Sequence, residues 1–151
     1  MVEEGKPAPD FDLTSDEGKR ITLSELQGKP VVLYFYPKDD TPGCTAQACG
    51  IRDEYSEFRQ AGAVVLGVSP DTEASHVKFK SKYELPFTLL ADPDHEVAEK
   101  YGVWVEKKNY GKTYMAVERS TFVIDADGKI AKVMLRVKPD THAADVLAAL
   151  P

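Results

Sequence analysis

Two stretches of the chain, "PVVLYFYP" at 30–37 and "AVVLGVS" at 63–69, are apolar at successive rather than alternate positions, as strands buried on both faces are. Both are far shorter than the ~20 residues of a membrane span. Between them, from Cys44 to Ala61, Ile51, Tyr55 and Phe58 recur at helical spacing. Arg52, Asp53, Glu54, Glu57 and Arg59 fill the other face, and Gly62 suits the helix stop. After the second apolar run Asp71 is placed to cap a helix that carries Val77, Phe79 and Tyr83 towards Pro86. "FTLLAD" predicts a short strand and "HEVAEKYG" a short helix ending at Gly102. "STFVIDADGKIAKVMLRV" predicts a hairpin turning at Asp127-Gly128, and residues 140–150 a last helix. Ahead of all these, "FDLTSDEGKRITLSEL" predicts two short strands around Glu17-Gly18, then a brief helical turn capped by Ser24 and closed by Gly28.

Two strand–helix units followed by a hairpin and a helix predict a mixed central sheet with helices on both faces, since right-handed crossovers place them there. A thioredoxin-like α/β fold with an N-terminal hairpin extension is compatible with this order, and so is a small doubly wound sheet. No repeat or linker divides the sequence, so residues 1–151 are expected to form a single domain.

With 151 residues and 42% hydrophobic composition, such a domain can bury its core without staples. The start "MVEEGKPAPDF" has no signal-peptide pattern, and two cysteines are too few for a disulfide scaffold, so the expected location is cytoplasmic. A net charge of −6 opposes binding to nucleic acid or anionic lipid. The one basic cluster, "KKNYGK" at 107–112, is short enough to be a solvated loop. His76, His95 and His142 all lie in polar helical contexts and are expected at the surface. Scattered in this way, they do not make a zinc site with the cysteines.

Both cysteines lie in "TPGCTAQACG", with four residues between them rather than the two of a thioredoxin-type pair. On one regular helix, Cα atoms five positions apart are about 8.6 Å from each other, beyond the ~7 Å that a disulfide spans. A bond between Cys44 and Cys49 would therefore require the start of the helix to unwind. Thr41-Pro42-Gly43 reads as an N-cap, a first-position proline and a flexible second position, which puts Cys44 in the first turn. The free N–H groups and positive dipole end there favour thiolate over thiol. Spacing and context leave two readings open, a reactive thiol and a buried small hydrophobe.

The run "YFYPKDDTPGCTAQACGIRDEY" resembles the active-site segment of the peroxiredoxins, in the bacterioferritin comigratory protein or peroxiredoxin Q subfamily. Pro37, Thr41 and Cys44 match that family's spaced Pro, Thr and Cys, and "VERSTFVID" is similar to its later segment bearing an arginine, here Arg119. The likeness runs from "GKPAPDFDL" through "LGVSPD" to the final helix. It implies a thioredoxin-like fold and a thiol peroxidase acting on hydrogen peroxide and organic hydroperoxides, with no cofactor and no metal. Cys44 would be the peroxidatic residue and Cys49 the resolving one, forming an intrachain disulfide that thioredoxin or a similar dithiol protein reduces. Arg119 would pair with the thiolate and a peroxide oxygen, Thr41 would bond the peroxide, and Pro37 would shield the sulfur. Outside the resemblance, Arg119 reads as a strand-end residue paired with Glu118 or Asp125.

Ala116 stands where relatives often carry glycine, so the path of the segment from Tyr110 to Arg119 is the part of the likeness most open to change. "DADGK" at 125–129 lacks the later ligands of a calcium loop and reads as the hairpin turn. Two other functions fit a lone reactive pair, a thiol-disulfide oxidoreductase and a peroxide-sensing switch. A resolving cysteine within the same chain favours a monomer.

Overall fold

A computed structural model describes residues 2–151. Seven strands form one mixed sheet: β1 (Asp12–Ser15), β2 (Arg20–Thr22), β3 (Val31–Phe35), β4 (Val64–Ser69), β5 (Thr88–Ala91), β8 (Ser120–Ile124) and β9 (Ile130–Leu135). The strands β6 (Trp104–Asn109) and β7 (Lys112–Val117) make a separate two-stranded ribbon. The sheet order is β2-β1-β5-β4-β3-β8-β9, with β3, β4 and β5 parallel and the other pairings antiparallel.

The uninterrupted apolar runs are the two central strands, and alternation along β3 feeds two cores. Val31, Leu33 and Phe35 point to one face, where they meet Leu23, Val97 and Tyr101. Val32 and Tyr34 point to the other, among Ala48, Ile51, Phe58, Phe79 and Val146. The second face is covered by α1 (Pro42–Asp53), α2 (Tyr55–Gln60), α3 (Glu73–Tyr83) and α5 (His142–Ala149), and the first by α4 (Glu96–Lys100) and a 3-10 turn (Leu23–Leu26). The expected central mixed sheet with helices on both faces is thus present.

Several local expectations change. The helix begins at Pro42 with Thr41 at the N-cap position, as the capping pattern predicts, but the helical run expected to reach Ala61 breaks at Glu54 (φ −105°, ψ 13°). The Glu54 N–H is shared between the carbonyls of Gly50 and Ile51, which tightens the last turn before α2 starts. Thr72, not Asp71, caps α3, because its hydroxyl accepts from the Ser75 N–H. Ser24 does not cap the 3-10 turn but lies inside it, its N–H donated to Asp10 Oδ1. Val77 is exposed rather than part of the core.

"KKNYGK" is no loop. Its lysines lie on β6 and β7, and Tyr110-Gly111, at φ 52° and 76°, supply the two left-handed residues of a tight hairpin turn. The DADGK segment closes the β8–β9 hairpin as expected: Asp125 Oδ1 accepts from the Asp127 and Lys129 N–H groups, and Gly128 takes φ 84°. Among the described residues no helix is long and apolar enough to cross a membrane.

Candidate active site

The C-terminal end of β3 releases the chain into the segment Pro37–Thr41, which α3 straps in place. The Asp39 N–H donates to Asp71 Oδ2 at 2.8 Å. Its carboxylate accepts from Tyr36 Oη at 2.6 Å and Ser75 Oγ at 2.8 Å, and contacts His76 Nδ1 at 2.7 Å. Next to it, Asp40 is held at φ 57° while its carboxylate accepts from Lys82 Nζ and Tyr83 Oη. Asp39, Asp71 and His76 come close enough to suggest a metal cluster, but their atoms are engaged with one another and with Tyr36, Ser69 and Ser75. The cluster is a strap for the loop.

Thr41 sits at the N-cap position of α1, but its side chain makes no capping bond. Its hydroxyl donates instead to the Lys38 carbonyl at 2.8 Å, so Oγ1 is left to act as an acceptor. Pro37 opens the loop and is half-buried. Pro42 starts the helix, and the N–H groups of Gly43 and Cys44 have no intrahelical acceptor. Cys44 itself is only 2% exposed. Cys49 lies further along the same helix, half-buried and unbonded to Cys44. The shared helix satisfies the condition under which the two sulfurs cannot bond while it is intact.

Arg119 reaches this site from the start of β8, where Ser120 pairs with Phe35 at the C-terminal end of β3. Its Nη1 lies 3.4 Å from Cys44 Sγ and 2.6 Å from Gln47 Oε1, donating to both. A Cβ at position 43 would come within 3.0 Å of Arg119 Nη2, so glycine there allows the guanidinium its close approach. The strand-end alternative for Arg119 fails: Glu118 pairs with Lys107 and Arg136, and Asp125 is occupied by its turn. Ala116 lies in a regular strand. It pairs with Val105 in the ribbon, and beyond it the Arg119 carbonyl accepts from the Val137 N–H at 3.1 Å.

The structure brings Cys44 and Arg119 into contact and sets Thr41 at the start of the same helix, three residues before the thiol. It also contains residues that the sequence pattern did not single out. Gln47 is fully buried one turn after Cys44, on the same helical face, and that i, i+3 relation was the available signal. His76 and His142 are fully buried, contrary to the surface expectation for all three histidines; His95 alone is partly exposed. Each buried ring is satisfied by hydrogen bonds to residues distant in sequence: His76 bonds the Leu90 carbonyl through Nε2, and His142 contacts Gln47 and Thr121.

Burial lowers the pKa of His142 from 6.5 to about 4, the nearby Arg119 cation adding to the effect while Asp145 opposes it. The folded protein therefore resists a proton that the unfolded chain accepts, so stability is complete above pH ~6.5 and falls as the pH drops towards about 4. The full difference is roughly 3 kcal/mol. Urea unfolding from pH 7.5 to 4.5 should show this slope in the wild type, and His142→Asn should flatten it. An equal slope in both proteins would remove His142 as its source.

A sulfur among N–H donors at a helix N-terminus, beside a fixed guanidinium and shielded from bulk water, is equipped to hold negative charge and attack a small electrophile. The chain is similar over most of its length to proteins of one family. Residues 4–133 match the model of the AhpC/TSA family. The chain is 50% identical over 149 residues to peroxiredoxin Bcp of Bacillus subtilis, covering 99% of this chain and 95% of the relative. It is 48% identical over 143 residues to peroxiredoxin Bcp of Escherichia coli K12, covering 95% and 92%. The solved bacterioferritin comigratory protein of Xanthomonas campestris, described for its alkyl peroxide reduction activity, superposes with a TM-score of 0.91 at 37% identity, covering 97% of this chain and 96% of that one.

Proposed function

The chain belongs to the AhpC/TSA family, as a peroxiredoxin of the Bcp or peroxiredoxin Q type, and from this premise we propose that it reduces hydrogen peroxide and organic hydroperoxides through Cys44. The observation that carries the reading is the Arg119 Nη1 contact to Cys44 Sγ at the N-terminus of α1. The Cys44 thiolate attacks one peroxide oxygen, an S–O bond forms as the O–O bond breaks, and the other oxygen leaves with the bonding pair. A proton from solvent converts that leaving group to water or alcohol, and Cys44 remains as sulfenic acid. Arg119 stabilises the negative charge on sulfur and on the departing oxygen. Because the Thr41 proton is committed to the Lys38 carbonyl, Thr41 acts as an acceptor for the peroxide O–H. Pro37, at the head of the strapped loop, limits water at the sulfur.

Cys49 then displaces water from the sulfenic acid to form an intrachain disulfide. This step unwinds the start of α1, since an intact helix keeps the Cα atoms about 8.6 Å apart. Thioredoxin or a similar dithiol protein takes over the disulfide and restores both thiols. The protein works as one domain and a monomer in the cytoplasm.

The deciding measurement is steady-state consumption of hydrogen peroxide and of alkyl hydroperoxides, coupled to thioredoxin and its reductase. Turnover without added dithiol protein, or none with it, would count against the cycle. After one equivalent of peroxide the wild type should lose two hydrogens in mass and remain monomeric on a non-reducing gel. Cys49→Ser should instead gain one oxygen, react with the first equivalent about as fast as the wild type, and fail to turn over with thioredoxin. An obligate disulfide dimer in the wild type would exclude the intrachain route.

A further inference from the structure

Arg119 is aimed by a hydrogen-bond chain that runs through the sheet side of α1 into α5. Its members are Arg119 Nη1 to Gln47 Oε1 at 2.6 Å, Gln47 Nε2 to His142 Nδ1 at 3.2 Å, and His142 Nε2 to Thr121 Oγ1 at 2.6 Å. Gln47, His142 and Thr121 are fully buried, so no water competes for these partners. The direction of every bond follows from which groups can donate. A guanidinium only donates, so the Gln47 atom facing it is the oxygen. The other end of that amide is the NH2, again only a donor, and the His142 nitrogen it meets must accept. His142 is therefore a neutral ring with its proton on Nε2, donated to Thr121.

We propose that His142 is a positioning residue of the peroxidatic site: its Nδ1 lone pair fixes which end of the Gln47 amide faces Arg119, and so holds Nη1 against Cys44 Sγ. Remove that acceptor, and nothing at the far end of Gln47 favours one amide orientation over its flip. In the flipped state NH2 faces guanidinium, donor against donor, and Arg119 withdraws from the one nitrogen position from which it reaches both Gln47 and sulfur. The groups around the ring agree with a neutral His142: the Arg119 cation on the β8 side disfavours a second proton, the Tyr34 ring of β3 packs at 5.6 Å, and the opposing effect of Asp145 on α5 is outweighed by burial. The proposal rests on the peroxidase reading, because it assigns its function through Arg119 and Cys44.

The first test leaves activity aside. Long-range 1H–15N correlation on the reduced protein should show His142 neutral with the proton on Nε2 from pH 8 to pH 5.5; a proton on Nδ1, or a charged ring in that range, overturns the proposal. The second follows the rate of the first oxidation of Cys44 by hydrogen peroxide. His142→Leu should slow it about tenfold, and His142→Asn, whose amide oxygen can stand in for Nδ1, should recover most of the loss. In a Gln47→Glu background both side-chain ends accept, orientation no longer matters, and His142→Leu should slow the reaction less than threefold. A loss from His142→Leu that persists undiminished in that background, or an Asn variant no better than Leu, means that the ring acts through packing alone. A wild type that shows the Nε2 tautomer yet consumes no peroxide would refute the peroxidase reading and leave the hydrogen-bond chain standing.

Discussion

Cys44→Ser should be a folded protein whose peroxide turnover, with thioredoxin and its reductase present, falls by at least about a thousandfold. A serine hydroxyl keeps its proton at neutral pH, whereas the thiolate is the attacking species in this chemistry. Arg119 and the α1 N-terminus stabilise a charge on sulfur, and they cannot supply one to an oxygen that does not ionise. Cys49 cannot substitute, because it lies further along α1 and has no hydrogen bond to Arg119. The fold should survive, since the substitution removes little volume from a core that also contains Tyr34, Ala48 and Ile51. Circular dichroism and thermal unfolding would establish that survival, and the coupled assay the loss. Turnover above a few per cent of the wild-type rate would place the nucleophile elsewhere.

What could be read from the sequence depended on whether a residue's partners lay nearby in the chain. β3 and β4 are legible because strands buried on both faces are apolar at nearly successive positions, a pattern that depends little on which elements surround them. The β6–β7 ribbon is illegible for the opposite reason. It stands apart from the main sheet, most of β7 is exposed, and a ribbon with so little to bury carries no hydrophobic signature. Cys44 at the head of a helix follows from Thr41 and Pro42. The contact with Arg119 joins residues 75 positions apart and was available only through resemblance. The histidines show the limit most plainly: His142 is buried because Gln47, 95 positions away, and Thr121 satisfy both its nitrogens. A helix face with polar neighbours gives no hint of such partners, so the residue reads as surface.

Arg119→Met should slow the oxidation of Cys44 by peroxide about 10²- to 10³-fold, in line with the roughly 3–4 kcal/mol that one donor aimed at developing negative charge supplies. Methionine retains much of the length and apolar stem and loses both the charge and the forked N–H donors. Arg119→Lys should fall between, because it keeps the charge, but an ammonium on a flexible stem is not held as the planar guanidinium holds Nη1, 3.4 Å from Cys44 Sγ and 2.6 Å from Gln47 Oε1. The effect should be confined to one half of the cycle. In the proposed cycle the start of α1 unwinds to let Cys49 reach Cys44, which would break the contact with Arg119, so reduction of a preformed disulfide by thioredoxin should proceed in Arg119→Met within about twofold of the wild-type rate. Stopped-flow oxidation and single-turnover reduction measured on the same variant would separate the two halves. If both slow together, Arg119 holds the fold of the segment, and charge stabilisation at Cys44 must come from the helix N-terminus alone.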